Sequence, residues 1–178
     1  AQEFADSALA SFPATHDELL ALPYGSITIG EKVIEQVGVI GEKIEIAAFE
    51  KLEAEQVAPY IHMGNKAGVL IGMNKDNADY FDAGRDVAMQ VAAMHPVAVD
   101  ESGVDPSIIE KEIEIGKEVA RNEGKADNLI ERIAQGKLKK FFKEKTLLNQ
   151  QFVKDSSLTV SGFLKSKDKE LTVTDFKH

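Results

Sequence analysis

Three observations in the sequence predict an α+β fold. Short stretches that alternate apolar and polar residues read as strands, and longer ones with apolar residues three and four apart read as helices. The strands are grouped before and after the helices, without the regular alternation that builds a doubly wound sheet. Residues 103–145 read as two amphipathic helices folded back on each other, an antiparallel helical hairpin inserted in an otherwise mixed chain.

A first helix is expected to end near Phe12-Pro13, and Pro23-Tyr24-Gly25-Ser26 has the composition of a turn. A second helix covers Thr28 to Ile40, with Val33, Ile34, Val37 and Ile40 on one side. Lys43 to Glu50 alternates at period two and predicts a strand with one wet face. Val57 to His62 and Val69 to Met73 are expected as its partners. The turn that joins them, Met63-Gly64-Asn65-Lys66, is too short for a parallel crossover, so the pairing should be antiparallel. A helix from about Asn77 to Met94 follows, then the hairpin, a short helix near Thr159 to Lys165 and a closing strand from Leu171 to Phe176.

In the hairpin, Asp105 suits the N-cap and Pro106 the first helical position, where a missing N–H costs nothing. Gly124 ends the first arm. Ile109, Ile113, Gly116 and Ala120 line one arm, and Ile130, Ile133, Ala134, Leu138 and Phe141 line the other. Two such narrow stripes can bury only each other. Arms of about 17 residues would reach roughly 25 Å, and projecting arms serve partners more often than chemistry. The expected organisation is therefore a core in residues 1–101, a protruding hairpin in 102–145 and a return segment, 146–178, that completes the core.

With 178 residues, 43% of them hydrophobic, the chain suits one domain with an insertion or two small lobes. The net charge of −9 is uneven: residues 110–145 carry +2 and the remainder −11. An acidic body repels phosphate backbones, so Lys137-Leu138-Lys139-Lys140 reads as a solvated helix face and no nucleic-acid partner is expected. The absence of cysteine excludes disulfides and thiol chemistry and fits a reducing, cytoplasmic setting. No stretch approaches the roughly 18 apolar residues of a membrane span. Ala1 to Ala5 reads as helix interior, and the natural chain is expected to start further upstream.

Catalytic equipment is not legible. His16, His62, His95 and His178 lie in separate elements without metal-ligand spacing. The Gly-Lys pairs at Gly116, Gly124 and Gly136 lack the rest of a phosphate loop. The carboxylates occupy faces that solvent should cover, and no metal or cofactor is expected. A protein that works through its surface fits best.

On a wheel of 100° per residue, Tyr80, Phe81, Gly84, Val87, Ala88, Val91 and His95 share one face of the Asn77–Met94 helix. Asp82, Arg85 and Asp86 lie opposite, yet Met89 falls among them, with Gln90 and Ala93 beside it. A flexible apolar side chain is thus aimed away from the expected core, where either a partner or a second layer of the same protein could cover it.

With these elements in order, nearly the whole chain resembles the core of bacterial elongation factor Ts. The matching residues are Gly41-Glu42-Lys43-Ile44-Glu45-Ile46, Tyr60 through Leu70, Val87-Ala88-Met89-Gln90-Val91-Ala92-Ala93, and Leu147-Leu148-Asn149-Gln150-Gln151-Phe152-Val153. The resemblance implies two related subdomains with small antiparallel sheets plus the inserted coiled coil. Residues 1–101 would hold the remainder of the N subdomain and most of the C subdomain. It also implies guanine nucleotide exchange on elongation factor Tu: the factor loosens the G domain so that GDP leaves, with no covalent chemistry. Because the helix position at Gln90 corresponds to a G-domain contact in the family, Met89, Gln90, Asp86 and Ala93 are the first expected partner contacts. The turn His62, Met63, Gly64 and Asn65 is the second. Some family members dimerise through the arm, which would involve Ile109, Ile113, Ile130, Ile133 and Leu138; an assembly scaffold acting through the hairpin is the alternative function.

Two departures from the family pattern bear on activity. Its Thr-Asp-Phe-Val motif lies upstream of the stretch matched by Ala1 to Leu9, and Thr174-Asp175-Phe176 aligns instead with the closing strand. The first strands of one subdomain are likewise unmatched, which would leave a sheet edge unpaired. The 178-residue chain alone is therefore expected to bind weakly and accelerate GDP release little, measured as nucleotide-release kinetics on elongation factor Tu.

Overall fold

In the computed structural model, which describes residues 1–178, seven α-helices, two short 3₁₀ helices and seven strands fall into two units, Ala1–Lys51 and Leu52–His178. The mixture of helices with small antiparallel sheets is the expected α+β class.

The first unit contains α1 (Gln2–Ser11), α2 (His16–Ala21), the two-stranded β1 (Pro23–Tyr24) and β2 (Ile27–Thr28), and α3 (Ile29–Ile40). Ala8, Leu19 and Ile29 form its small core, with Phe4, Leu20, Leu22, Tyr24, Ile46 and Phe49 packed around them. Helix α3 starts with a reciprocal cap: the Glu31 N–H donates to Thr28 Oγ1 at 3.2 Å, and the Thr28 N–H donates to the Glu31 carboxylate at 2.7 Å. Helix α2 was not anticipated, although Thr15-His16-Asp17-Glu18 carries the same Thr-x-x-Glu signature. Its Glu18 N–H donates to Thr15 Oγ1 at 3.1 Å.

The expected strand from Lys43 to Glu50 does not form. The segment is without assigned secondary structure, and Val57–His62 and Val69–Met73 pair with each other rather than with it. Its period-two pattern shows in burial over the first four residues, where Ile44 and Ile46 are half-buried and Lys43 and Glu45 exposed, and breaks beyond them, where Ala48 is exposed and Phe49 half-buried. Alternation specifies one wet face and one dry face; a strand additionally requires a ladder partner. Here a side chain takes the ladder's place at one point, where His16 Nε2 lies 2.7 Å from the Ile46 carbonyl.

The second unit is built on the antiparallel sheet β3–β4–β7, made of β3 (Gln56–Ile61), β4 (Gly68–Met73) and β7 (Val173–Lys177). Central β4 buries Val69, Ile71 and Met73 against α4 (Ala78–Met94), whose core face is Ala83, Gly84, Val87, Ala88 and Val91. After α5 (Pro106–Asn122) and α6 (Asp127–Lys145), the chain returns through β5 (Gln151–Phe152), β6 (Asp155–Thr159) and α7 (Val160–Lys167). This β5–β6 ribbon had no sequence signal, and it brings Leu147, Phe152, Val160 and Leu164 into the same core.

Helices α5 and α6 meet where Gly116 faces Ala134: a Cβ on Gly116 would lie 2.9 Å from Ala134 Cα. Ile130 and Leu138 are buried, while Ile109, Ile113 and Ile133 are half-buried. Lys117 bridges the two helices, 3.2 Å from both Glu114 and Glu131. The segments before and after the pair are hydrogen-bonded to each other, Leu147 N–H to the Ala98 carbonyl and Leu148 N–H to the Val99 carbonyl, both at 2.9 Å. No helix is long and apolar enough to cross a membrane.

Glycine at position 84 sets how closely α4 approaches the sheet. A Cβ there would come within 2.7 Å of both the Ala58 Cβ and the Met73 Sδ. Alanine is favoured over glycine by about 1 kcal/mol in an open helix, but at this position the backbones would have to separate. Gly136 in α6 has nothing within 4 Å of its Cβ position. In urea unfolding, Gly84→Ala should destabilise the protein, whereas Gly136→Ala should stabilise it by roughly 0.5–1 kcal/mol.

Asp168, the residue that ends α7, ties that helix end to the β4–α4 junction. Lys75 Nζ donates to its two carboxylate oxygens at 2.9 and 3.0 Å, the Tyr80 hydroxyl donates at 3.0 Å and the Glu170 N–H at 2.8 Å. Chiefly because of the Lys75 ammonium, its pKa falls from 3.8 to about 2. A depressed folded-state pKa stabilises the fold above the unfolded pKa, and the contribution disappears as pH falls through the folded one. The difference in urea midpoint between wild type and Asp168→Asn should therefore be constant above pH ~5 and shrink between pH ~4 and ~2.

Candidate docking face

The outward side of α4 and the end of β3 surround an open depression of about 290 Å³ lined by Tyr60, Asp82, Arg85, Asp86, Met89 and Lys154. Helical spacing sets Asp82, Arg85, Asp86 and Met89 on one surface, because residues three and four apart are neighbours there. Met89 is half-buried, the apolar patch among two carboxylates and two cations. Lys154 comes from the turn between β5 and β6 and closes on Asp86 with an Nζ to Oδ1 distance of 2.6 Å.

Tyr60 links this depression to the second set of expected contacts. Its hydroxyl and His62 Nδ1 share a 3.1 Å hydrogen bond. The β3–β4 turn is exposed at every residue from His62 to Lys66. It closes through the His62 N–H to the Ala67 carbonyl at 2.9 Å, with Gly64 and Asn65 at φ of 82° and 55°. Both conformations are left-handed, which suits a glycine and an asparagine. Met63 is 87% exposed and Ile61 63%, so the turn presents apolar side chains to solvent.

Of the residues expected at the surface of α4, Met89 and Asp86 line the depression and Ala93 is exposed one turn further on. Gln90 is different, and its expected surface role is corrected here. It is wholly buried. Its Nε2 donates to Gln150 Oε1 at 3.0 Å and to the Gln151 carbonyl at 3.1 Å, and its Oε1 accepts from the Val153 N–H at 2.8 Å. The wheel misplaced Gln90 because the return segment packs against that flank of α4, extending the dry arc beyond the sheet-facing residues. His95, assigned to the core face, is instead exposed at the helix end.

Tyr60, Asp82, Arg85 and Lys154 were not singled out from sequence as docking residues. The wheel held the signal for Asp82 and Arg85, but that for Tyr60 and Lys154 arises only on folding, which brings a strand and a turn outside the helix against it. No group of three or more His, Cys, Asp or Glu side chains converges in a way that could hold a metal ion. The depression lies at the lower limit of volumes that enclose a small molecule. What it offers is an apolar centre inside a ring of mixed charge.

The fold and this face define an α+β protein whose core helix α4 carries an open depression with an apolar centre and a charged rim. Comparison with known proteins is specific: the family model described as Elongation factor TS matches residues 1–178. Elongation factor Ts of Flavobacterium psychrophilum is 52% identical over 161 residues, covering 90% of this chain and 59% of that protein. The Cytophaga hutchinsonii protein of that name is 52% identical over 171 residues, covering 95% and 62%, and that of Amoebophilus asiaticus 48% over 178, covering 99% and 64%. The chain belongs to the elongation factor Ts family. It spans about three-fifths of the length of the curated relatives it matches.

Proposed function

We propose that this chain takes part in guanine nucleotide exchange on elongation factor Tu, using the Met89 face of α4 to engage the GTPase. Family membership supports the class of activity, and the depression around Met89 is the observation that supports the location. Met89 supplies deformable apolar contact, while Arg85 and the Lys154–Asp86 pair supply charges whose arrangement selects a partner's register. The exposed His62–Asn65 turn, joined to Tyr60, extends this face.

Exchange requires no bond making. The protein has to bind the nucleotide-free GTPase more tightly than the loaded one, because only differential affinity shifts the equilibrium. By linkage, the factor by which it weakens GDP binding equals the factor by which GDP weakens its own binding.

Capture of nucleotide-free elongation factor Tu tests the location. Met89→Asp combined with Arg85→Glu should weaken capture at least tenfold, a loss of about 1.4 kcal/mol, with the circular dichroism spectrum unchanged. Undiminished capture by the folded double variant would place the interface elsewhere.

A further inference from the structure

The buried amide of Gln90 has more work than filling the core. An apolar residue would suit the surroundings on α4, where Val87, Ala88 and Val91 are all wholly buried. Burying a primary amide is unfavourable unless its donors and acceptor are all matched. Gln90 meets that condition with three hydrogen bonds, and all three go to one short stretch, Gln150 to Val153. Two of the three engage the main chain, at the Gln151 carbonyl and at the N–H of Val153, the turn residue next to Lys154.

The same helix receives that lysine one turn earlier. Asp86, four residues before Gln90, takes the Lys154 ammonium at 2.6 Å, although Lys154 is itself an exposed side chain. An exposed ion pair is worth little by itself, because holding two long side chains in one geometry costs entropy. Fixing the backbone beneath it lowers that cost. Gln150 is the second anchor: its Nε2 donates to the Glu144 carbonyl at 3.0 Å, tying the same stretch to the last turn of α6.

We infer that Gln90 is a positioning residue for the docking face: from inside the core it holds the Val153–Lys154 turn at the height where Lys154 closes on Asp86 and walls the Met89 depression. The effect on partner binding rests on the function proposed above; the positioning itself does not.

Hydrogen exchange on the wild-type chain gives the first test and needs no variant. Val153 is 46% exposed and sits in a turn, yet its N–H donates to a buried acceptor. Its amide should exchange as slowly as core amides such as that of Ile71; exchange at the rate of an open turn would overturn the inference.

The second test uses Gln90→Met, which keeps length and removes all three bonds. The nuclear Overhauser contact between the Lys154 and Asp86 side chains should disappear while Ile71 and Leu164 amides stay protected; a retained contact overturns the inference. An independent route leaves Gln90 intact: a glycine inserted between Val153 and Lys154 should abolish the same contact, and survival of the contact counts against the inference.

In capture of the nucleotide-free GTPase, Gln90→Met should weaken binding about fivefold in wild type and less than twofold in a Lys154→Ala background. Equal losses in both backgrounds would mean that Gln90 does not act through Lys154. If wild type captures no GTPase at all, the proposed function falls, and the exchange and Overhauser measurements still decide the positioning.

Discussion

The seating of α4 on its sheet is the constraint on which the rest of the second unit depends. Gly84 lets the helix approach β3 and β4 so closely that even a methyl group would collide with Ala58 and Met73. At that separation Val87, Ala88 and Val91 lose all exposure, and close packing holds the helix in one rotational setting. Fixing the rotation fixes everything arranged around the helix: which residues face the sheet, which face the return segment and which face solvent.

Three surroundings result from one helix. The sheet-facing side is apolar, and the flank against β5 carries Gln90, whose amide is matched entirely by that segment. The solvent side gathers Asp82, Arg85, Asp86 and Met89. The return segment touches both of the last two, since residues Gln150 to Val153 engage Gln90 and Lys154 reaches Asp86. A residue inside the core and a charge pair on the surface are thereby linked through four residues of backbone.

This organisation suits a protein that acts by contact. The differential binding proposed for this face requires a shape held before a partner arrives, because a face that must first be ordered loses affinity to entropy. Two kinds of anchoring provide this rigidity: packing beneath α4 and hydrogen bonding beneath the Lys154 turn. The Asp168 clamp with Lys75 and Tyr80 adds a third tie, between the end of α7 and the entry to α4.

Much of the fold was legible in the sequence. The helices at Ile29–Ile40, Ala78–Met94, Pro106–Asn122 and Asp127–Lys145 follow from apolar spacing, with the Asp105 cap marking the third, and the antiparallel β3–β4 pairing from the short glycine-bearing turn that joins the two strands. These signals are local: a helix satisfies its own backbone, and a hairpin pairs with its neighbour. Tertiary structure alone decided the rest. Lys43–Glu50 has a strand's pattern and no partner, while the β5–β6 ribbon has a partner and no pattern. Sequence placed Met89 and Asp86 on the outer face of α4 but could not assign Gln90, whose surroundings depend on a segment sixty residues away. Periodicity specifies that a helix has two sides; which of its flanks stays dry is set by what packs there, and that is a property of the assembled core.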